Sequence, residues 1–162
     1  MKGEGGWVEA NLWETKPTYK SHEIGRTKKN KCIIVDEEPS VAIAEELFPD
    51  YFITCCSGGA KGWRTSYVLN VIRFNDIICF PKNTTKYKKE FNELALYIGS
   101  KGITTRVVDL PRELPLDWNL TQHIPDYLDI DELVATAKPP KTREKNDYLI
   151  LKKISFKGVG RT

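Results

Sequence analysis

Three consecutive acids, Asp36, Glu37 and Glu38, follow directly on the apolar run Lys31-Cys-Ile-Ile-Val35. Carboxylates leaving a strand together can hold a hard divalent cation through oxygen, or they can sit in the first turn of a helix and complement its dipole. A second group lies in and after the loop Ser57-Gly-Gly-Ala-Lys-Gly62, where Lys61, Trp63 and Arg64 follow Gly58 and Gly59. A third begins at Lys82 and continues through Lys86, Lys88 and Lys89. Cations beside an indole suit a phosphodiester strand, with charge for phosphate and a flat face for a base. Each group also has a plainer role. The two glycines make a tight turn, Trp63 packs in a core, and the lysines form the solvated face of a helix.

Other chemistry finds less support. Cys32, Cys55, Cys56 and Cys79 lie in or beside apolar runs without a C-x-x-C, and the only histidines are His22 and His123. That spacing does not build a zinc site, so buried reduced thiols are expected. There is no G-x-x-x-x-G-K-[ST] and no G-x-G-x-x-G after a strand. Two histidines in these contexts give no Ser-His-Asp arrangement.

The elements that must position these groups alternate in type. Strands are expected at 31–35, 51–55, 76–80 and 104–110, each a short β-branched or apolar run closed by turn residues. A helix is expected from Glu38 to Phe48, with Pro39 in its first turn. A second, from Thr85 to Ser100, carries Tyr87, Phe91, Leu94, Ala95 and Ile98 on one face and ends at Gly102. Shorter helices are expected at 119–123 and 130–137, and residues 63–72 read as helical or irregular. The fold class is therefore α/β, a central, mainly parallel sheet of about four strands flanked by helices. Such sheets carry their sites at the carboxyl ends of the strands, which selects 36–38, 57–63, 81–85 and 111–122.

The chain of 162 residues carries a net charge of +3, unevenly spread. Residues 1–31 hold seven Lys/Arg against four acids, and 138–162 hold eight against two, while 32–137 hold ten against sixteen. Three parts are expected: an N-terminal basic arm or subdomain (1–30), a domain (31–138), and a basic C-terminal extension (139–162) that opens on Pro139-Pro140. Tyr148 to Ile154 is a candidate edge strand. Basic flanks on an acidic globule are one way to meet a polyanion, and solvated tails look the same. No apolar run approaches the ~20 residues of a membrane span, and the first ten residues lack a signal-peptide pattern. A cytoplasmic protein without a membrane partner is expected.

The stretch Ile33-Ile-Val-Asp-Glu-Glu-Pro-Ser-Val-Ala-Ile-Ala-Glu-Glu-Leu-Phe-Pro-Asp-Tyr51 resembles the opening of a Toprim domain, in which the first strand ends in Val-Glu-Gly-Glu and a helix leads to Leu-Phe-Pro. Ser57-Gly-Gly-Ala-Lys61 is similar to the Gly-Gly-Ala-Lys loop of the phage and mobile-element primase-like members. Asp109-Leu-Pro, Leu114-Pro and Asp117-Trp-Asn-Leu120 resemble that subgroup's Leu-Pro … Gly-Trp-Asp-Leu ending. The resemblance covers roughly 32–137, in order. It implies a Toprim-like fold and, for active members, Mg²⁺ held by an acid after the first strand and an Asp-x-Asp after the third.

Here the acids are largely replaced. Asp36 stands for the first glutamate, Glu37 for the glycine, and Glu38 is kept. Where the subgroup has Trp-Pro-Asp-x-Asp this chain reads Phe80-Pro-Lys-Asn-Thr84, and later acids become Asn119 and Gln122. An ammonium at Lys82 repels a divalent cation. The expectation is a degenerate Toprim-like domain of a replication or mobile-element protein, without efficient metal catalysis, no metal site and no cofactor. Its partner would be nucleic acid, single-stranded DNA in the first place, through Gly58, Gly59, Lys61, Trp63, Arg64, Lys82 and Lys86, or a helicase or primase subunit. Two alternatives stand beside it. One is a metal-dependent primase- or nuclease-like enzyme using Mg²⁺ on the residual acids Asp36 and Glu38 with Asp109 or Asp117. The other is a protein-interaction module or phage-type inhibitor using Trp7, Trp13, Tyr19 and Trp118. Lys82 itself has two readings, an ion pair with Asp36 or Glu38 and a direct contact with phosphate.

Overall fold

The computed structural model describes residues 16–142. Trp7, Trp13 and the candidate edge strand at 148–154 lie outside them. The apolar runs form four strands, β1 (Lys31–Val35), β2 (Tyr51–Cys55), β3 (Asp76–Phe80) and β4 (Thr104–Val107). All pairings are parallel and the order is β2-β1-β3-β4. Helix α1 (Glu38–Leu47) follows β1, α2 (Thr85–Gly99) follows β3, and α3 (Ile130–Ala135) comes late. Every strand position from Cys32 to Val35, Phe52 to Cys55 and Ile77 to Phe80 is buried, as a sheet covered on both faces requires.

Alternating side chains divide these strands between two cores. Ile33, Val35, Ile53, Ile78 and Phe80 meet Val41, Ala44 and Phe48 of α1 together with Val108, Leu110, Leu114, Trp118 and Leu120 of the segment after β4. Cys32, Ile34, Phe52, Ile77 and Cys79 meet Phe91, Leu94, Ala95 and Ile98 of α2 together with Ile24, Trp63, Val68, Val71 and Phe74. The sheet thus separates a layer made of α1 and 108–137 from a layer made of 16–30, 57–74 and α2.

Several expected elements take a different form. The stretch after the glycine loop is two 3₁₀ helices, Gly62–Thr65 and Val68–Arg73. β4 stops at Val107, because the chain then turns to bury Val108 and Leu110 against α1's side of the sheet. Residues 119–123 form turns rather than a helix, and the late helix ends at Ala135. Residues 16–30 do not stand apart from the domain. Thr54 Oγ1 donates to the Tyr19 carbonyl at 2.6 Å, Tyr19 N donates to the Cys55 carbonyl at 2.9 Å, and Ile24 is buried in the core. Among the described residues no helix is long and apolar enough to cross a membrane.

Candidate functional site

In this strand order β1 lies between β2 and β3, and the helices that follow β1 and β3 cover opposite faces of the sheet. The chain therefore leaves the carboxyl ends of β1 and β3 in opposite directions, the geometry that opens a crevice in doubly wound sheets. Asp36 to Glu38 line it from β1 and Lys82 to Thr84 from β3.

The crevice is filled by the chain itself. Asp36 is buried, and both of its carboxylate oxygens are engaged: Ser40 Oγ donates to Oδ1 at 2.7 Å and Asn119 Nδ2 donates to Oδ2 at 2.8 Å. Burial pushes the Asp36 carboxyl above its ordinary range, and the bonds from Ser40 and Asn119 offset only part of that. Asn119 is fixed in turn, its Oδ1 accepting from the Thr121 backbone N–H and hydroxyl. Across the crevice, Asn83 Nδ2 donates to the Leu114 carbonyl at 3.1 Å and the Pro115 carbonyl at 2.8 Å. Asn83 N donates to the Trp118 carbonyl, and the Asn83 carbonyl accepts from Asp117 N at 3.0 Å. Asp117 takes φ 67°, the left-handed turn that carries the loop over the crevice.

Lys82 Nζ lies 3.0 Å from Glu37 Oε1 and 5.4 Å from the centre of the Tyr87 ring. The hydrogen bond to Glu37 raises the lysine above its ordinary value and keeps it charged. Its partner is Glu37, not Asp36 or Glu38, because Asp36 is turned inward and Glu38 begins α1 at the surface. Thr84 caps α2, its hydroxyl accepting from Tyr87 N at 3.0 Å. Asp109 pairs with Lys138 at 2.9 Å.

These side chains do not fit Mg²⁺. A hard cation needs several free oxygen ligands gathered about one point. Here Asp36 is buried with a neutral donor on each oxygen, Glu37 is held by an ammonium, and Glu38 is exposed on the helix. Among the described residues no group of three His, Cys, Asp or Glu is disposed to hold a metal.

The glycine loop lies on the other side of the sheet. Gly58 and Gly59 take φ 103° and 77°, a conformation that side chains disfavour. Gly62 packs so closely on the Ser57 carbonyl that a Cβ there would collide with it. Trp63 is buried, its Nε1 donating to Glu90 Oε1 at 3.1 Å, and Arg64 Nε donates to the same oxygen at 2.8 Å. The Arg64 guanidinium lies 4.6 Å from the Trp63 ring centre and Tyr97 lies 5.8 Å from it. The indole therefore packs against α2, where its ring is not free to stack on a base. Trp118 is also buried, 1% exposed, with Nε1 donating to the His123 carbonyl, so it offers no surface contact. Tyr19 is 37% exposed. Lys61 and Lys86 are exposed on the α2 layer.

The thiols are inert. All four cysteines are free and buried, and burial pushes Cys55 to about 12 and Cys56 to about 11, far from the thiolate needed for nucleophilic attack.

Sequence reading did not reveal how charge divides between the layers. Residues 36–50 carry six acids and no base, and 108–137 carry seven acids and one base. Both belong to the α1 layer. On the α2 layer, 16–30 carry five Lys/Arg against one acid, 57–74 carry three and no acid, and α2 carries three against two. The sheet thus separates an acidic layer from a basic one. The pattern is visible in the sequence once each segment is assigned to its face.

No protein-family model and no curated protein matches the chain.

Proposed function

We propose that this chain is a Toprim-like domain that has given up metal chemistry and serves a replication or mobile-element protein by binding nucleic acid. The observation that carries the reading is the state of Asp36. At the position where the resemblance expects a metal-binding acid, the carboxylate is buried and both oxygens are taken by Ser40 and Asn119. The crevice that would receive phosphate and metal is occupied by residues 114–121, clamped by Asn83. What remains accessible to a polyanion is the basic layer, which includes Lys61, Arg64 and Lys86, with Lys82 beside it in its pair with Glu37. Binding there is electrostatic, independent of sequence and sensitive to salt.

A second reading rests on the opposite layer. Leu116 is 77% and Tyr127 59% exposed, both within the acidic segment 108–137. An apolar and acidic surface suits a basic protein segment, such as part of a helicase or primase subunit.

The test is fluorescence anisotropy of a labelled single-stranded oligonucleotide at two salt concentrations, each with Mg²⁺ and with chelator. Binding that weakens with salt and ignores Mg²⁺ is expected. A requirement for Mg²⁺, or cleavage of the strand, would overturn the loss of metal chemistry. No binding under any condition would overturn the nucleic-acid role and favour the protein partner.

A further inference from the structure

One recess lies at the β4 edge, where the basic layer meets residues 108–110 of the opposite one. Between α2 and residues 138–141 lies a cleft of about 500 Å³, within the size range of sites that take a small molecule or a single nucleotide. Cations stand on both walls, Lys88 and Lys89 on α2, Lys138 and Lys141 opposite. Between them the lining is apolar at Pro81, Val108 and Leu110 and polar at Thr85 and Asn92. Two acids share the cleft, Glu93, and Asp109 already paired with Lys138.

The wall facing α2 is built into the domain. Val107 N donates to the Lys138 carbonyl at 2.7 Å and Lys138 N returns to the Val107 carbonyl at 2.9 Å, a single antiparallel bridge on the outer edge of β4. Three residues on, the Asn92 side chain grips the Lys141 backbone from both sides. Lys141 N donates to Asn92 Oδ1 at 2.7 Å, and Asn92 Nδ2 donates to the Lys141 carbonyl at 2.8 Å. Pro139 and Pro140, between these fastenings, stiffen the span. The backbone of this wall is therefore held at a fixed distance from α2, and only its lysine side chains are left to be ordered on binding.

We infer that this cleft is the nucleic-acid contact itself, taking one nucleotide of a single strand with its phosphate between the two lysine walls and its base against the apolar lining. The assignment rests on the nucleic-acid reading above and relocates its centre from Lys82 and the glycine loop to α2 and residues 138–141. The Asn92 amide is committed to the Lys141 backbone and the Thr85 hydroxyl can donate or accept, so the lining takes any base. A base can enter only if it is unpaired, so single strand is preferred to duplex. The charge of the α2 layer steers the strand to this face and the α1 layer repels it.

The experiment titrates a labelled oligo-dT with the full chain, with K88A/K89A, and with K28A/K101A, which removes the same charge from exposed lysines outside the cleft. Salt is varied from about 50 to about 200 mM. K88A/K89A is expected to lose about tenfold or more in affinity and about two units of log–log salt slope, with K28A/K101A losing less than about threefold. Unlabelled single strand is expected to compete better than duplex. If the wild type binds and both variants lose equally, or duplex competes as well as single strand, the cleft is overturned and the nucleic-acid reading survives. If the wild type does not bind, that reading fails and the cleft assignment falls with it.

Discussion

Lys82 and Glu37 form an ion pair of 3.0 Å across the carboxyl ends of β3 and β1. The pair puts an ammonium where the Toprim resemblance expects the first aspartate of an Asp-x-Asp. Restoring both acids, as K82D/T84D, tests whether the frame still supports a metal. Aspartate is as good a helix cap as threonine, so α2 keeps its start. Mg²⁺ in the millimolar range is expected to raise the melting temperature of the double variant, because the cation relieves repulsion between the new acids and Glu37. The wild type is expected to show no Mg²⁺-dependent shift, and one of equal size would count against the loss of metal affinity.

Asp36 gives a pH signature. Burial raises its carboxyl, so the folded state holds the proton more tightly than the unfolded chain. Between the ordinary carboxylate value of about 3.9 and the raised value, the stability contributed by Asp36 declines as pH rises, and above the raised value the decline is complete. Asp36→Asn keeps an acceptor and removes the charge, so urea denaturation should show its advantage over wild type growing through that window and levelling at neutral pH. Asp36→Ala leaves the Ser40 and Asn119 donors without a partner and is expected to cost about 1–3 kcal/mol.

The strands at 31–35, 51–55 and 76–80 were legible to the residue, because each is a buried apolar run bounded by turn-forming residues. Helix α2 was legible from the spacing of Phe91, Leu94, Ala95 and Ile98. What could not be read were contacts between residues far apart in sequence. Asn119 reaches Asp36 across 83 positions and Asn83 reaches Leu114 across 31, so nothing local marks either amide as a clamp. Trp118 looks exposed amid polar neighbours, and its burial depends on the His123 carbonyl satisfying its indole N–H. The partner of Lys82 escaped for a related reason. Of three adjacent acids, only Glu37, in extended backbone before α1, is left free to turn toward β3.

Asn83 holds the loop that covers the crevice, and its two acceptors are both carbonyl oxygens. Asn83→Ala is expected to cost about 1–3 kcal/mol through the buried Leu114 carbonyl left unpaired, while the Pro115 carbonyl keeps its bond from Trp118 N. Asn83→Asp is expected to be worse above the aspartate's pKa, since a carboxylate there faces two acceptors with no proton to give. Chemical denaturation at neutral and acid pH separates the two variants: the Asp variant recovers on acidification and the Ala variant does not.

Gly62 tests the glycine loop as structure. A Cβ at this position collides with the Ser57 carbonyl, a backbone atom that cannot swing aside as a side chain would. Gly62→Ala is expected to cost at least ~1 kcal/mol, and Gly25→Ala, in open space, within about 0.5 kcal/mol. Equal effects on melting temperature would show that the loop is not tightly packed.

Glu90 ties the glycine loop to α2. Burial pushes its carboxyl up, but the hydrogen bonds from Arg64 and from the Trp63 indole together outweigh that and leave it below its ordinary range. Its contribution therefore has the opposite pH sense to that of Asp36: it is fully present above the ordinary glutamate value and lost as pH falls through the lowered one. Glu90→Gln keeps an acceptor for the indole and removes the charge that holds Arg64. It should lose this acid-side dependence while Trp63 stays packed. Glu90→Ala leaves the buried indole N–H unpaired, at a cost of about 1–3 kcal/mol, and should red-shift tryptophan emission as water reaches Trp63. If emission and stability in Glu90→Ala match wild type, Trp63 is not held by this bond, and its indole again becomes a candidate for stacking on a base.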